Sequence, residues 1–270
     1  MPELPEVEVT RLGISPHLLG QRLEGAIVRE PRLRLPVNPD LAEQISGQTV
    51  RQLRRRGKYL LLDLEHGSIL IHLGMSGHLR VLPRDTALRK HDHVDLLITD
   101  QLCLRFNDPR RFGALCWLED VDQHPLIARL GPEPLTADFS GEYLYALSRH
   151  RQIPVKAFLM DAHIVVGVGN IYANESLFAA GIDPRRPAGR VALTRYQRLA
   201  QTVREVLQSA ILQGGTTLRD FSRPDGRNGY FRLSLAVYGR EGQACIRCGA
   251  ALHSLRIGGR ATTYCSHCQR

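Results

Sequence analysis

The last part of the chain carries the strongest constraint on what it can fold into. Cys245-Ile246-Arg247-Cys248 and Cys265-Ser266-His267-Cys268 are two Cys-x2-Cys pairs separated by 16 residues. Each pair sets two thiolates on one side of a tight turn, and two pairs complete a tetrahedron, the spacing of structural zinc ribbons and fingers. Cys245, Cys248, Cys265 and Cys268 are therefore expected to hold one structural Zn2+. A redox dithiol or an iron–sulfur cluster is the competing reading. Four protein ligands leave no open position for a catalytic water. The segment 239–270 is too short to bury much core, so the metal supplies its folding energy. Its side chains sum to +4, which four thiolates and one Zn2+ reduce to +2, a balance suited to phosphate. Cys103 and Cys116 stand apart and read as buried strand thiols.

The 270 residues carry a formal net charge of +9, which favours an anionic partner such as nucleic acid without excluding a merely basic soluble protein. No apolar run approaches the roughly 20 residues needed to span a bilayer, and the start lacks the regions of a signal peptide, so a cytoplasmic location is expected. Residues 2–19 read as a helix with Pro2 and Pro5 at or near its first turn, although Gly13 and Pro16 blur its end. Short Leu/Ile/Val-rich runs at 60–64, 68–73, 79–82, 94–98, 103–107 and 114–118 read as strands of a sandwich or barrel. Gly131-Pro132-Glu133-Pro134 marks a boundary. Beyond it, 170–180 reads as a helix, and 194–213 as a longer one with a Thr194 cap and a Gly214-Gly215 stop. The polar stretch from 214 to 229 reads as a long loop, of a length that is usually functional or disordered.

Removal of Met1 would expose Pro2 as a secondary amine. An α-amino group titrates near pH 8, far below a lysine, so a useful fraction is unprotonated at neutral pH. Such an amine can attack a sugar C1′ and yield an iminium that acts as an electron sink. Glu3 and Glu6 follow at once and offer the carboxylate that a proton transfer beside the nucleophile needs. The run Arg51 to Lys58 reads by itself as a solvated basic face. Lone histidines such as His72 and His91 are usually structural, and Met75 and Phe112 would ordinarily be core. Gly74, Gly77 and Gly113 beside them tilt the reading toward exposed tips of turns.

Taken in order, Met1-Pro2-Glu3-Leu4-Pro5-Glu6-Val7-Glu8, Lys58-Tyr59-Leu60, His72-Leu73-Gly74-Met75-Ser76-Gly77 and Asp108-Pro109-Arg110-Arg111-Phe112-Gly113 resemble the formamidopyrimidine-DNA glycosylases. So do Gly167-Val168-Gly169-Asn170-Ile171-Tyr172, Gly214-Gly215-Thr216-Thr217, Val237-Tyr238-Gly239-Arg240 and the cysteine pairs. The resemblance implies an α+β multidomain chain in three parts. Residues 1–130 would form an N-terminal helix with an antiparallel β-sandwich, 131–236 a helix-two-turn-helix domain with a lesion-recognition loop at 215–230, and 237–270 a β-hairpin zinc finger.

By the same resemblance, Pro2 is the Schiff-base nucleophile, Glu3 the acid that assists base departure, and Lys58 a proton-transfer residue in β-elimination. Arg260 matches the finger arginine associated with δ-elimination, but a guanidinium is a poor proton donor, so a phosphate clamp is the preferred role. An enzyme of this kind must flip the damaged base out of the duplex and fill the gap. Met75, Arg110 and Phe112 match the trio that enters the stack. Asn170, at a helix start, is suited to phosphate, and His91, Arg151, His72 and Lys156 match further contacts to DNA. The implied activity is excision of oxidised purines from damaged double-stranded DNA with strand cleavage, by a monomer in the bacterial cytoplasm, on the nucleoid through its DNA. An endonuclease VIII-type enzyme for oxidised pyrimidines and a non-catalytic zinc-finger DNA-binding protein are the alternatives.

Overall fold

The computed structural model describes residues 2–214 and 235–270, which fall into two compact units divided after Ala128. The expected recognition loop at 215–230 lies outside the described residues.

The first unit opens with α1 (Leu4–Leu18), then β1 (Gly25–Val28), α2 (Leu41–Ile45), β2 (Gln52–Arg56), β3 (Tyr59–Asp63), β4 (Ser68–His72), β5 (His78–Pro83), β6 (Asp92–Leu97), β7 (Leu102–Asn107), β8 (Ala114–Leu118) and α3 (Pro125–Ala128). The strands form two antiparallel four-stranded sheets, ordered β1-β6-β7-β5 and β2-β3-β4-β8. Period-two alternation supplies the core. Leu60 and Leu62 on β3, Ile69 and Ile71 on β4, Val94 and Leu96 on β6, and Leu104 and Phe106 on β7 join Val7, Ile14 and Leu18 of α1 in one buried cluster. The expected strands are present, and Pro16 lies inside the last turn of α1.

The run expected to be a solvated basic face is a strand instead. Leu53 is buried, Arg54 binds Asp63 and Asp122, and Arg55 binds Glu8 of α1. Carboxylates from three distant segments thus neutralise what looks in sequence like an unbroken positive patch.

The other face of the first sheet buries charge. Arg80 of β5 and Arg105 of β7 lie directly opposite each other, and Asp95 of β6 opposes Arg105 from the other side. All three side chains are at most 2% exposed. Asp95 takes the Arg105 fork at 2.8 and 2.9 Å and also Arg29 at 2.7 Å. Asp92 accepts from Arg80 at 2.8 Å. These guanidiniums hold the Asp95 carboxyl below its usual range against the opposing effect of burial.

The second unit contains α4 (Gly141–Ser148), α5 (Val155–Leu159), α6 (Asn170–Ala180), a 3-10 turn at Ala188–Arg190, α7 (Leu193–Leu212), and the antiparallel hairpin β9 (His253–Ile257) and β10 (Arg260–Tyr264). Helix α6 matches its expected span. Helix α7 starts one residue before Thr194, with the backbone carbonyl of Ala192 closing its first turn, so Thr194 is not the cap. Among the described residues no helix is long and apolar enough to cross a membrane.

Removing one member of a buried ion pair strands the other, at a cost of about 3–5 kcal/mol. Asp95→Ala is expected to lower urea stability by that order, and the paired Asp95→Leu/Arg105→Met protein to recover part of the loss. Equal stability of Asp95→Ala and wild type would show that the pair contributes nothing.

Candidate functional site

In the first unit, the candidate residues are gathered by the course of α1 along β2. Glu8 Oε2 accepts from Arg55 Nε at 2.9 Å, and three residues later Arg11 donates to the Leu53 carbonyl at 3.3 Å. Helix and strand therefore run in opposite directions, so the Pro2-Glu3 end of the helix lies toward the Gly57-Lys58 turn that follows β2. Pro2 and Glu3 are both buried. Glu6 Oε2 accepts the Glu3 backbone N–H at 2.8 Å, fixing the entry of the chain into the helix. One end of one element thus brings Pro2 and a carboxylate toward the turn that carries Lys58.

His72, at the end of β4, lies beside the same turn. Its ring is 4.9 Å from that of Tyr59, and its Nδ1 accepts the Gly74 backbone N–H at 3.0 Å. That bond requires an unprotonated Nδ1. Burial, followed by the charges of Arg34 and Lys58, pushes the imidazole down to about 4. His72 is thus neutral at physiological pH, and its Nδ1 holds the turn that carries Met75.

Met75 is half-buried in that turn, whereas Arg110 and Phe112 are exposed in the turn between β7 and β8. Phe112 is 47% exposed, too much for core packing, and the Arg110 guanidinium sits 5.0 Å from its ring centre. His91 adopts a left-handed backbone, φ 74°, just before β6.

The second unit supplies a separate set. Asn170 begins α6, at the positive end of the helix dipole. Lys156, expected at the DNA backbone, has no exposed surface. Its ammonium donates to Asn170 Oδ1 at 2.6 Å, Thr262 Oγ1 at 2.7 Å and the Ala261 carbonyl at 2.9 Å. It joins the helix start to β10 and orients the Asn170 amide rather than reaching the surface itself. Arg151 and Arg260 are exposed. Sequence reasoning missed Glu175, whose carboxylate takes the backbone N–H groups of Ala236, Val237 and Tyr238 at 2.7–3.0 Å. An acidic residue in the middle of an apolar helix was its only signal.

The four expected cysteines converge. Their Sγ atoms all lie within 4.8 Å of one another, with Cys245 to Cys268 at 3.9 Å and Cys248 to Cys265 at 3.5 Å. A zinc–sulfur bond of about 2.3 Å gives a tetrahedron with edges of about 3.8 Å, so the donor set fits zinc. A small cluster of Phe178, Val237 and Leu252 packs behind it.

Two outcomes follow from this geometry. Metal analysis is expected to find one zinc per chain, and chelation to unfold the hairpin, because Phe178, Val237 and Leu252 alone are too small a core to hold it. An unchanged hairpin after complete chelation would refute the dependence. For His72, the unfolded chain binds its proton near pH 6.5 and the folded chain only near 4, so stability falls as pH drops through that window, by about 3 kcal/mol at most. His72→Gln is expected to flatten that part of the pH profile; an unaltered slope would assign it to other groups.

Comparison with known proteins agrees with these features. Family models match residues 1–115 (formamidopyrimidine-DNA glycosylase N-terminal domain), 130–222 (formamidopyrimidine-DNA glycosylase H2TH domain) and 242–270 (zinc finger found in FPG and IleRS). With the last match and the sulfur geometry, the cysteines form the site of one structural zinc. The formamidopyrimidine-DNA glycosylase of Acidithiobacillus ferrooxidans is 76% identical over 270 residues, and that of Marinobacter nauticus 57%, each covering 100% of both chains. Among solved structures, a Lactococcus lactis FPG variant bound to Fapy-dG-containing DNA superposes with a TM-score of 0.92 at 31% identity, covering 100% of both chains. MutM (FPG) of Thermus thermophilus gives 0.88 at 39%, covering 99% of this chain and 98% of that one. The chain belongs to the formamidopyrimidine-DNA glycosylase family.

Proposed function

We propose that this protein acts in base-excision repair, excising oxidised purines such as 8-oxoguanine and formamidopyrimidines from duplex DNA and then cleaving the strand as an AP lyase. The observation that carries the reading is the placing of Pro2 and Glu3 at the start of α1, toward the Lys58 turn, in a chain of this family. The Pro2 nitrogen attacks C1′ of the damaged nucleotide. With Met1 removed, a bond from the Pro2 nitrogen to C1′ forms as the bond to the base breaks, the amine proton passing to the departing base, and Glu3 protonates O4′ as the C1′–O4′ bond opens. The resulting iminium acidifies the 2′ position. Lys58 serves the proton transfers of β-elimination, in which the 2′ proton leaves and the C3′–O bond breaks. δ-Elimination then breaks the C5′–O bond, with Arg260 stabilising the departing phosphate by its charge.

Met75, Arg110 and Phe112 fill the space left by the flipped nucleotide. Exposed Arg110 and Phe112 support that role. Asn170 and the α6 N-terminus, Arg151 and His91 hold phosphates; Lys156 contributes by orienting Asn170. The zinc contributes folding energy to the finger and takes no part in the chemistry. The segments 1–130, 131–236 and 237–270 divide this work into nucleophile, backbone grip and finger. The enzyme works as a monomer in the cytoplasm, as the family resemblance implies.

Borohydride added during reaction with a duplex carrying one 8-oxoguanine opposite cytosine reduces the iminium to a stable cross-link. The expected adduct maps to Pro2, and Pro2→Gly, which leaves a primary amine, is expected to alter its yield. Trapping on a thymine-glycol duplex but not on 8-oxoguanine would move the protein to the pyrimidine-directed enzymes. No trapping on either, with zinc bound and DNA binding intact, would leave a non-catalytic binding protein.

A further inference from the structure

Two turns carry the three side chains proposed to enter the DNA stack, and one buried group ties them together. Asp108 has no exposed surface. Its Oδ1 accepts from the Ser76 hydroxyl at 2.9 Å, next to Met75, and from the Arg110 backbone N–H at 3.3 Å. Its Oδ2 accepts from the Gly113 backbone N–H at 2.7 Å, next to Phe112. The carboxylate therefore spans the turn of Met75 and the turn of Arg110 and Phe112 at once.

The backbone of Asp108 is equally engaged. Its carbonyl accepts from His93 Nε2 at 2.8 Å and from the Arg111 N–H at 3.2 Å, and its own N–H donates to the His91 carbonyl at 3.1 Å. The turns also touch backbone to backbone. A Cβ added to Gly74, whose φ is +63°, would stand 2.5 Å from the Gly113 nitrogen. A carboxylate is an acceptor only, with two oxygens each able to take two donors, and here three donors from two turns converge on it. No neutral side chain of the same size supplies that pattern.

We propose that Asp108 is a positioning residue for lesion extraction: it presets Met75, Arg110 and Phe112 as one rigid wedge before DNA arrives, without touching DNA itself. The inference rests on the enzymatic reading above. Ordering two turns on binding would cost backbone entropy that a preassembled wedge does not pay again.

Asp108→Asn replaces one acceptor oxygen with a donor that faces a hydroxyl or an N–H. Its reaction on an 8-oxoguanine duplex is expected to fall by about 10–100-fold, while cleavage of a single-stranded oligonucleotide with one abasic site, which has no stack to fill, stays within about twofold. A 2-aminopurine placed opposite the lesion is expected to report slower wedge insertion in the same variant. Ser76→Ala removes one bond only and keeps the fold, and is expected to lower the duplex rate about five- to tenfold with the same single-strand control. Equal losses on both substrates in both variants would make Asp108 merely structural, and unchanged duplex rates and insertion would give it no role. A wild-type protein inactive on both substrates would instead overturn the enzymatic reading on which the inference rests.

Discussion

Arginines facing one another across neighbouring strands would repel, and the sheet β1-β6-β7-β5 exists as built because Asp92 and Asp95 answer Arg80 and Arg105 inside it. Each charge is withdrawn from water and depends on its partners, although Arg80 Nε has none among the described residues. The partners of Asp92 reach into the loops. Asp92 also accepts from Asn107 Nδ2 and from the Arg89 N–H, and Asn107 donates to the Lys90 carbonyl. The backbone around His91 and the start of the Asp108 turn are thus fixed by the same ionic network that holds the strands. A surface made of loops gains its order here from charge buried beneath it.

The second unit repeats the principle with one cation. Lys156 donates all three of its N–H bonds inside the protein, to a helix start and to a strand of the finger. These three oxygens fix the ammonium beneath the α6 N-terminus. The orientation of the Asn170 amide therefore comes from a side chain that does not reach the surface.

Much of this was legible in the sequence where pattern and chemistry coincide. Two Cys-x2-Cys pairs announce the metal, short Leu/Ile/Val-rich runs announce six strands, and glycines flanking Met75 and Phe112 point to turn tips. What stayed hidden depended on partners remote in sequence. Strand β2 was read as solvated because Arg54 and Arg55 are neutralised by Glu8, Asp63 and Asp122, none of them adjacent. Arg80 and Arg105 occupy the polar phase of an alternating pattern, which ordinarily means solvent, yet both are buried. The resemblance puts Lys156 at the DNA, and a lone lysine gives no sign of burial in the sequence. Asp108 stood inside a recognised motif, but its reach to Ser76 crosses 32 residues and appears only in three dimensions.

The finger's attachment also bears on how such chains can be rearranged. Thr263 N–H is received by Asn174, Gln269 donates to the Ile182 carbonyl, and Arg270 N–H bonds the Gly181 carbonyl. A segment transplanted as 242–270 would carry its metal with it but leave these donors, and the Lys156 acceptors, without counterparts. The cysteine motif is portable; the seat is not. Recombination that swaps fingers between relatives must therefore move α5 and α6 as well, making both helices and the finger a single heritable piece.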